Sequence, residues 1–275
     1  MCTQVGAEVI SLGFAAGENG KFISADLKKH GVEVDYVWVE GETRANINII
    51  STDTNSETEI LEAGPTATGR DFSEVMEKLE RWIDGASVVV LSGGIPQGLE
   101  CDAYAKMISK AKAKNIPTIL DTNGEALKQG IKAGPTMIKP NIRELSELVG
   151  VQVENKDKII EASKKIIIEY GVEEVVVSQG SAGATIVTKE HNGAFTVLEA
   201  KPPDIVPINT LGCGDAMVAG LACGLAGVVL GTPFENAMAF AASNALHREI
   251  GFISKVEIVE LIRKINPLLK GEEYD

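Results

Sequence analysis

Short apolar runs rich in β-branched residues alternate along this chain with amphipathic helical segments. In the segment 71–85, six apolar side chains share one helical face: Phe72, Val75, Met76, Leu79, Trp82 and Ile83. The run SVVVLSGG follows directly and is typical of a buried strand. The same alternation continues with a helix at 102–114, a strand at 117–121, a short helix at 124–132, a strand at 135–140, two helices between 142 and 171, and a strand at 173–180. This order predicts an α/β fold, with a parallel sheet that carries helices on both faces and so forms a three-layer α/β/α sandwich.

Each predicted strand ends in a polar or glycine-containing cluster. The clusters are SGG at 92–94, DTNG at 121–124, KPN at 139–141 and SQG at 178–180. Ligands of open α/β sheets bind outside the carboxyl ends of the strands. We therefore expect the functional site to draw on all four clusters.

The stretch 32–61 departs from this alternation. It has no helical period, but polar and apolar residues alternate through VDYVWVE and TRANINII. We interpret it as a β-hairpin or small sheet with EGE as its turn. Because it lies between a helix and the main α/β segment, we predict a β-lid over residues 34–61, inserted into a single domain that spans residues 1–275.

Composition restricts the possible partners. The 275 residues carry a formal net charge of −13, so neither nucleic acid nor an anionic membrane surface is an expected partner. The four cysteines have no CxxC spacing and the three histidines are scattered, which argues against a zinc site and favours reduced thiols in the cytoplasm. The first 14 residues, MCTQVGAEVISLGF, contain no basic residue, and Glu8 interrupts the apolar run, so we do not expect a signal peptide there. The apolar run 216–231 is too short to cross a bilayer, so it predicts a buried helix.

The segment NTLGCGDAMVAGLACGLAGVVLG, residues 209–231, contains a single charged residue, Asp215. Gly212 and Gly214 permit a tight turn that exposes backbone N–H groups at a helix start, which suits a phosphate. Asp215 beside them is either a general base for an acceptor hydroxyl or a carboxylate that stabilises the helix dipole, and local physics favours neither reading. Cys213 is a poor candidate nucleophile, because no histidine stands in a recognisable partner motif.

Five motifs together resemble those of a known family. TLGCGDAMVAG resembles the anion-hole signature of the ribokinase-like (PfkB-type) carbohydrate kinases, which usually reads GAGD. LSGGIPQG resembles the SGSLPPG segment of that family, and ILDTNGEAL, MIKPNIREL and VVVSQGSAGA resemble its further blocks in the same order. The resemblance runs from about residue 5 to residue 250. It implies a ribokinase-like sandwich with a small β-sheet lid, and an enzyme that uses ATP to phosphorylate a carbohydrate.

The predicted lid narrows the resemblance to one branch of the family. ETRANINI resembles the TRxNxxI segment of the hexose-phosphate kinases, the branch that holds 1-phosphofructokinase and tagatose-6-phosphate kinase. It implies that Arg44 contacts the phosphate of the sugar, and a protein this acidic needs such a placed guanidinium. A solvated strand arginine is the alternative reading. The branch implies phosphorylation of fructose 1-phosphate to fructose 1,6-bisphosphate, with tagatose 6-phosphate as the alternative acceptor and a homodimer formed through the lid.

The resemblance also assigns roles to residues of the predicted site. Asp215 is the implied catalytic base, and the backbone of Gly212, Cys213 and Gly214 would bind the transferring phosphoryl group. Asn141 and Glu144 would hold Mg²⁺, mostly through water, although Glu144 also fits a plain first-turn helix carboxylate. The nucleotide would be contacted by Lys139, Ser178, Gly180, Gly183 and Asn244. Glu125 is placed near the substrate.

One departure from the family concerns the start of the chain. Members of the family begin with a strand, a substrate-binding Asp and a GGKG-type segment, whereas this chain opens almost directly on VGAEVISLGFAAG. We expect the first core strand, one lid strand and several sugar contacts to be absent. This leaves an alternative of another class, a truncated and inactive remnant that still binds nucleotide.

Overall fold

The computed structural model describes residues 1–51, 53, 56–228, 231–265 and 270–274. The chain groups into two compact units. The first unit consists of residues 1–7, 83–94 and 101–275, and the second of residues 8–82 and 95–100. The residues predicted as a lid all lie in the second unit.

The described strands and helices follow one another in this order: β1 (Val9–Ala15), α1 (Gly17–Lys29), β2 (Val32–Trp38), β3 (Asn46–Ser51), β4 (Ser56–Leu61), α2 (Gly69–Ile83), β5 (Val89–Ser92), α3 (Ala103–Ala113), β6 (Thr118–Asp121), α4 (Gly124–Gly130), β7 (Met137–Ile138), α5 (Ile142–Val149), α6 (Lys156–Tyr170), β8 (Glu174–Ser178), β9 (Ala184–Lys189), β10 (Phe195–Ala200), α7 (Cys213–Leu225), α8 (Pro233–Ala245), α9 (Lys255–Ile265) and β11 (Lys270–Tyr274). Short 3-10 helices cover Cys2–Val5, Ile131–Ala133 and Gly180–Ala182.

The first unit is built on a seven-stranded sheet with the order β11-β10-β9-β8-β7-β6-β5. The strands β5 to β8 pair in parallel, as predicted, but β8 to β11 pair antiparallel. The predicted parallel sheet is thus confirmed for the four predicted strands, and β9, β10 and β11, which the sequence analysis did not include, extend it in antiparallel order. Strands β9 and β10 are joined by a tight turn rather than by a helix. Gly193 in that turn has φ +90° and the amide of Glu190 donates to the carbonyl oxygen of Ala194 at 2.8 Å.

Two hydrophobic cores lie on the two faces of this sheet. Successive strand residues point to opposite faces. On one face of the sheet, helices α7, α8 and α9 pack against Ile119, Met137 and Val176. On the other face, helices α3, α4, α5 and α6 pack against Leu120, Ile138 and Val175. The first unit therefore has a helical layer on each face of the sheet, which is the layered arrangement that the alternation in the sequence predicted.

Helix α7 forms where the apolar run 216–231 predicted a buried helix, but it begins earlier, at Cys213, and ends at Leu225. Residues 229 and 230 lie outside the described residues. A glycine is required where α7 meets α8, because a Cβ atom on Gly220 would lie 2.5 Å from the carbonyl oxygen of Asn236. Among the described residues, no helix combines the length and the apolar character needed to cross a bilayer.

The second unit contains two small sheets and corrects the predicted hairpin. Strand β2 pairs in parallel with β1, whereas β3 pairs antiparallel with β4. The EGE segment is therefore not the turn of a hairpin, and residues 34–38 belong to β2 rather than to the β3–β4 ribbon. Alternation in the sequence identified β2 and β3 but could not show which strand pairs with which.

Candidate active site

The four polar clusters meet at one edge of the sheet in the first unit. Because β5, β6, β7 and β8 are neighbouring parallel strands, their carboxyl ends lie side by side. Hydrogen bonds join one strand end to the next. The hydroxyl of Thr122 donates to the carbonyl oxygen of Gly93 at 2.7 Å, and the amide of Ser178 donates to the carbonyl oxygen of Pro140 at 3.0 Å.

The first turn of α7 has a backbone geometry suited to an anion. Gly212 is the N-cap and has φ +76°, in the left-handed region, and a Cβ atom there would lie 2.8 Å from Cγ2 of Ile250. No side chain caps this helix. Of the amides predicted to bind a phosphoryl group, that of Cys213 donates to the carbonyl oxygen of Thr210 at 3.3 Å. Gly214 and Asp215 are exposed and lie in the first turn, where N–H groups lack intrahelical acceptors. These two amides are therefore suited to an anionic ligand.

The thiol of Cys213 has its own hydrogen bonds inside the fold. Its Sγ atom donates to the carbonyl oxygen of Ala241 at 3.4 Å, and Nδ2 of Asn244 lies 3.6 Å from the same sulfur. Burial raises the pKa of this thiol, and the bond from Asn244 opposes the increase only partly. A protonated thiol is a weak nucleophile. These contacts and the raised pKa argue against a nucleophilic role for the Cys213 thiol.

Asn244 holds the loop that leads into α7. It is 1% exposed. Its Nδ2 donates to the carbonyl oxygen of Leu211 at 2.8 Å, and its Oδ1 accepts from the amide of Gly251 at 2.9 Å. The resemblance implied that this residue contacts the nucleotide; in the structure, both polar ends of its side chain form hydrogen bonds within the protein. Nothing in the sequence indicated this role, since a polar residue near the end of a helix has many uses.

Lys139 lies close to the α7 turn and is paired with a carboxylate that the sequence reasoning did not select. Its Nζ lies 3.1 Å from Oδ1 of Asp121, and the Lys139 side chain is only 7% exposed. Burial raises the pKa of Asp121, Lys139 opposes that increase, and the carboxylates of Asp215 and Glu144 add to it. Asp121 therefore stands within electrostatic reach of the predicted base and the predicted metal ligand. The sequence feature that could have identified Asp121 is its position in DTNG, at the end of a strand.

Asn141 and Glu144 form a capping box at the start of α5. Oδ1 of Asn141 accepts from the amide of Glu144, and Oε2 of Glu144 accepts from the amide of Asn141, both at 2.9 Å. This is the first-turn role that the sequence left open, and it leaves one carboxylate oxygen of Glu144 for a ligand. Within the described part of the chain, no group of three or more His, Cys, Asp or Glu side chains could hold a metal ion. The residues fit Mg²⁺ that keeps most of its water and is completed by substrate phosphates.

The remaining predicted nucleotide residues form the turn between β8 and β9. Gly183 has φ +102°, and a Cβ atom there would lie 2.0 Å from the carbonyl oxygen of Ala200, so the fold itself requires this glycine. Gly180, with φ +59°, is exposed and has open space around it. Glu125 is exposed on α4, where its carboxylate accepts a hydrogen bond from Gln129 of the same helix.

Arg44 lies in the second unit, two residues before β3. It is exposed, and its guanidinium has no hydrogen-bond or ion-pair partner among the residues that the structure describes. The neighbouring backbone is fixed, because the amide of Ala45 donates to Oε2 of Glu62 at 2.9 Å. A cation whose backbone is held while its charged group is unpaired is well suited to bind an anion.

A Gly-capped helix start near the carboxyl ends of the strands of an α/β sheet is suited to bind a phosphate group. The sequence profile of the pfkB family carbohydrate kinases matches residues 2–247, and the chain belongs to this family.

Individual relatives agree with this membership. Tagatose-6-phosphate kinase of Staphylococcus epidermidis is 34% identical over 266 residues, covering 96% of this chain and 84% of that protein. The 1-phosphofructokinase of Bacillus subtilis is 32% identical over 260 residues, covering 94% of this chain and 81% of that protein. The crystal structure of phosphofructokinase-2 from Escherichia coli with substrates and products superimposes with a TM-score of 0.85 at 25% identity, covering 96% of this chain and 85% of that one.

These findings confirm the ribokinase-like α/β fold expected from the motifs, and they confirm that the chain is a carbohydrate kinase. Kinase membership implies ATP as the phosphoryl donor.

Proposed function

We propose that this chain transfers the terminal phosphoryl group of ATP to a hydroxyl of a hexose phosphate. The first acceptor is fructose 1-phosphate, which gives fructose 1,6-bisphosphate, and tagatose 6-phosphate is the alternative. The ETRANINI segment and the names of the two relatives above support this substrate class. The observation that carries the proposal is the start of α7, where Gly212 adopts φ +76° and Asp215 lies in the uncapped first turn.

The mechanism follows from this geometry. Asp215 accepts the proton of the attacking hydroxyl, whose oxygen then bonds to the terminal phosphorus of ATP while the bond to the leaving ADP breaks. The amides of Gly214 and Asp215 and the ammonium of Lys139 stabilise the charge on the transferring group. Asn141 and Glu144 would hold Mg²⁺ through water, and the ion would supply further neutralisation of phosphate charge.

The remaining predicted contacts complete the proposal. Arg44 binds the phosphate that the sugar already carries, because a guanidinium forms bidentate hydrogen bonds with phosphate oxygens. The loop that contains Ser178, Gly180 and Gly183 lines the nucleotide site, and Asn244 borders that site from the end of α8 while its side chain holds the loop before α7. Glu125 lies near the substrate.

The β3–β4 ribbon supports a proposed homodimer. In its register Ile47 lies opposite Ile60, and Ile49 is on the same face. These three side chains are 50%, 47% and 51% exposed, and a two-stranded ribbon is marginally stable unless its apolar face is covered. We propose a second copy of the chain as the cover. Sedimentation equilibrium should give the mass of a dimer, and Ile47→Lys should shift it to that of a monomer; an unchanged mass excludes this mode.

The substrate is tested by a coupled ADP-release assay with fructose 1-phosphate, tagatose 6-phosphate and fructose 6-phosphate. The highest kcat/KM should be obtained with fructose 1-phosphate. A preference for tagatose 6-phosphate would replace the first acceptor with the alternative. If ADP is released with none of the three, the inactive nucleotide-binding remnant becomes the better account.

The base is tested by Asp215→Asn. We expect kcat to fall by roughly 10²–10⁴-fold, the range for loss of general base catalysis, while affinity for a non-hydrolysable ATP analogue stays within about twofold. The matched control is Asp157→Asn, since Asp157 is also an exposed first-turn carboxylate, at the start of α6. If both substitutions have equally small effects on kcat, Asp215 serves only the helix dipole.

A further inference from the structure

The pair formed by Asp121 and Lys139 is fixed by strand register. The neighbouring strands β6 and β7 are parallel, with Leu120 opposite Ile138. The next residue of each strand therefore lies beside the other at the carboxyl edge, and the amide of Lys139 donates to the carbonyl oxygen of Leu120 at 3.3 Å. The ion pair has an Nζ–Oδ1 distance of 3.1 Å, with 7% of the Lys139 side chain and 17% of the Asp121 side chain exposed.

Stability alone does not account for this pair. Removing two charges from water costs several kcal/mol per ion, and replacing such pairs by apolar residues is often neutral or stabilising. Here the carboxylates of Asp215 and Glu144 also oppose the ionised form of Asp121, and its pKa is raised. A carboxylate kept in this environment is better explained by what it does to Lys139.

The ammonium of Lys139 lies beside the first turn of α7. A methyl group built on Gly214 would be 3.8 Å from Nζ of Lys139, and no atom is closer to it apart from those of Gly214, its two neighbours and the backbone of α7. The open backbone of Gly214 and the ammonium thus face the same small space. A lysine ammonium is a point charge on a flexible four-carbon side chain. It therefore needs a partner that fixes its position before it can contact a ligand in a defined geometry.

We propose that Asp121 is a positioning residue for phosphoryl transfer: its carboxylate holds the Lys139 ammonium at the first turn of α7, against the transferring phosphoryl group. The inference rests on the proposed function, in which Lys139 contacts the phosphates of ATP. Phosphoryl transfer depends on positioning and on fixed charge, and a displacement of about 1 Å in such a group can reduce the rate about 10²-fold.

A double-mutant cycle on the full-length chain tests the inference, with kcat and KM measured for Asp121→Asn, Lys139→Met and the double variant. Asp121→Asn should lower kcat by about 10–100-fold and leave the KM of the sugar phosphate within about twofold. The double variant should be no slower than Lys139→Met, because Asp121 acts through the lysine. The matched control is Asp84→Asn, which removes a surface carboxylate just after α2 that lies 2.7 Å from Nζ of Lys114, and it should leave both constants unchanged.

The outcomes separate this inference from the proposed function. If the two single losses multiply in the double variant, or if Asp121→Asn leaves kcat unchanged, Asp121 does not position Lys139. If Lys139→Met keeps full turnover, the assigned role of Lys139 fails, and the inference about Asp121 fails with it. If Asp121→Asn does not fold, Asp121→Glu replaces it in the cycle. A kcat of Asp121→Glu at or above 50% of wild type would overturn the inference. A larger loss of kcat that vanishes in the Lys139→Met background would support it.

Discussion

The loop before α7 depends on one buried amide side chain, and Asn244→Ala tests this dependence. The substitution removes a donor 2.8 Å from the carbonyl oxygen of Leu211 and an acceptor 2.9 Å from the amide of Gly251. Because Asn244 is 1% exposed, both backbone groups would be left without their partner in a place that water does not readily reach.

The size of the effect follows from these two groups. We take roughly 1–2 kcal/mol as the cost of leaving one buried donor or acceptor unsatisfied, a value in the lower part of the usual range. The two groups together then cost about 2–4 kcal/mol. One kcal/mol lowers the Tm of a chain of this size by roughly 2–4 °C, so the expected decrease is about 4–16 °C. The loop that ends at Gly212 would also lose its fixed position, and we expect kcat to fall by about 10–100-fold.

The assay combines a thermal melt with ADP-release kinetics, and Asn236→Ala is the matched control. Asn236 lies on the same helix α8, is also fully buried, and donates to the carbonyl oxygen of Gly231 at 3.0 Å. It should lower the Tm but leave kcat near wild type, because it does not touch the loop before α7. Equal effects of the two substitutions on kcat, or a normal kcat in Asn244→Ala, would refute the argument that Asn244 positions the loop.

Two further predictions concern Arg44 and Glu174. Arg44→Ala should raise the KM for the sugar phosphate about 10-fold or more, with a smaller change in kcat. Arg70→Ala removes another exposed guanidinium of the second unit and should change neither constant. An unchanged KM in Arg44→Ala would remove Arg44 from the site. Burial first, and then the charges of Glu173 and Glu190, raise the pKa of Glu174. Protonated Glu174 therefore stabilises the fold at low pH, and this contribution is lost as pH rises through the raised pKa. Glu174→Gln should raise the Tm by about a degree or two at pH 7 and should give no such increase near pH 4. Glu260→Gln is the exposed control, and a gain that does not depend on pH would contradict the assignment.

The sequence was sufficient for features that depend on local pattern. The strand ends, the buried helix and the carboxylate in its first turn could all be predicted, because strand-like runs, helical periods and glycine turns are properties of neighbouring residues. The capping box of Asn141 and Glu144 was also within reach, since the residues stand three apart before an apolar helix.

Pairings between distant segments could not be predicted in the same way. The alternation in residues 32–38 identified a strand, yet its partner β1 is separated from it by the whole of α1. The contact between Asp121 and Lys139 depends on the register of β6 against β7, which no single segment contains. The antiparallel hairpin of β9 and β10 is different. Asn192 and Gly193 form an Asn-Gly pair, which is typical of a hairpin turn, and the prediction above did not include it.

The start of α7 explains why a single carboxylate stands at the end of a buried apolar helix. Helices α5 and α8 close their first turns with capping boxes, so their amides are satisfied by their own side chains. Helix α7 has Gly212 at the same position and no side-chain cap. Asn244 fixes the loop from behind and Asp121 fixes a cation beside it, so the protein supplies support for this turn but leaves its amides to a ligand. In the proposed function, a negatively charged phosphoryl group would satisfy the amides of Gly214 and Asp215, and the Asp215 carboxylate would then act on the hydroxyl that approaches it.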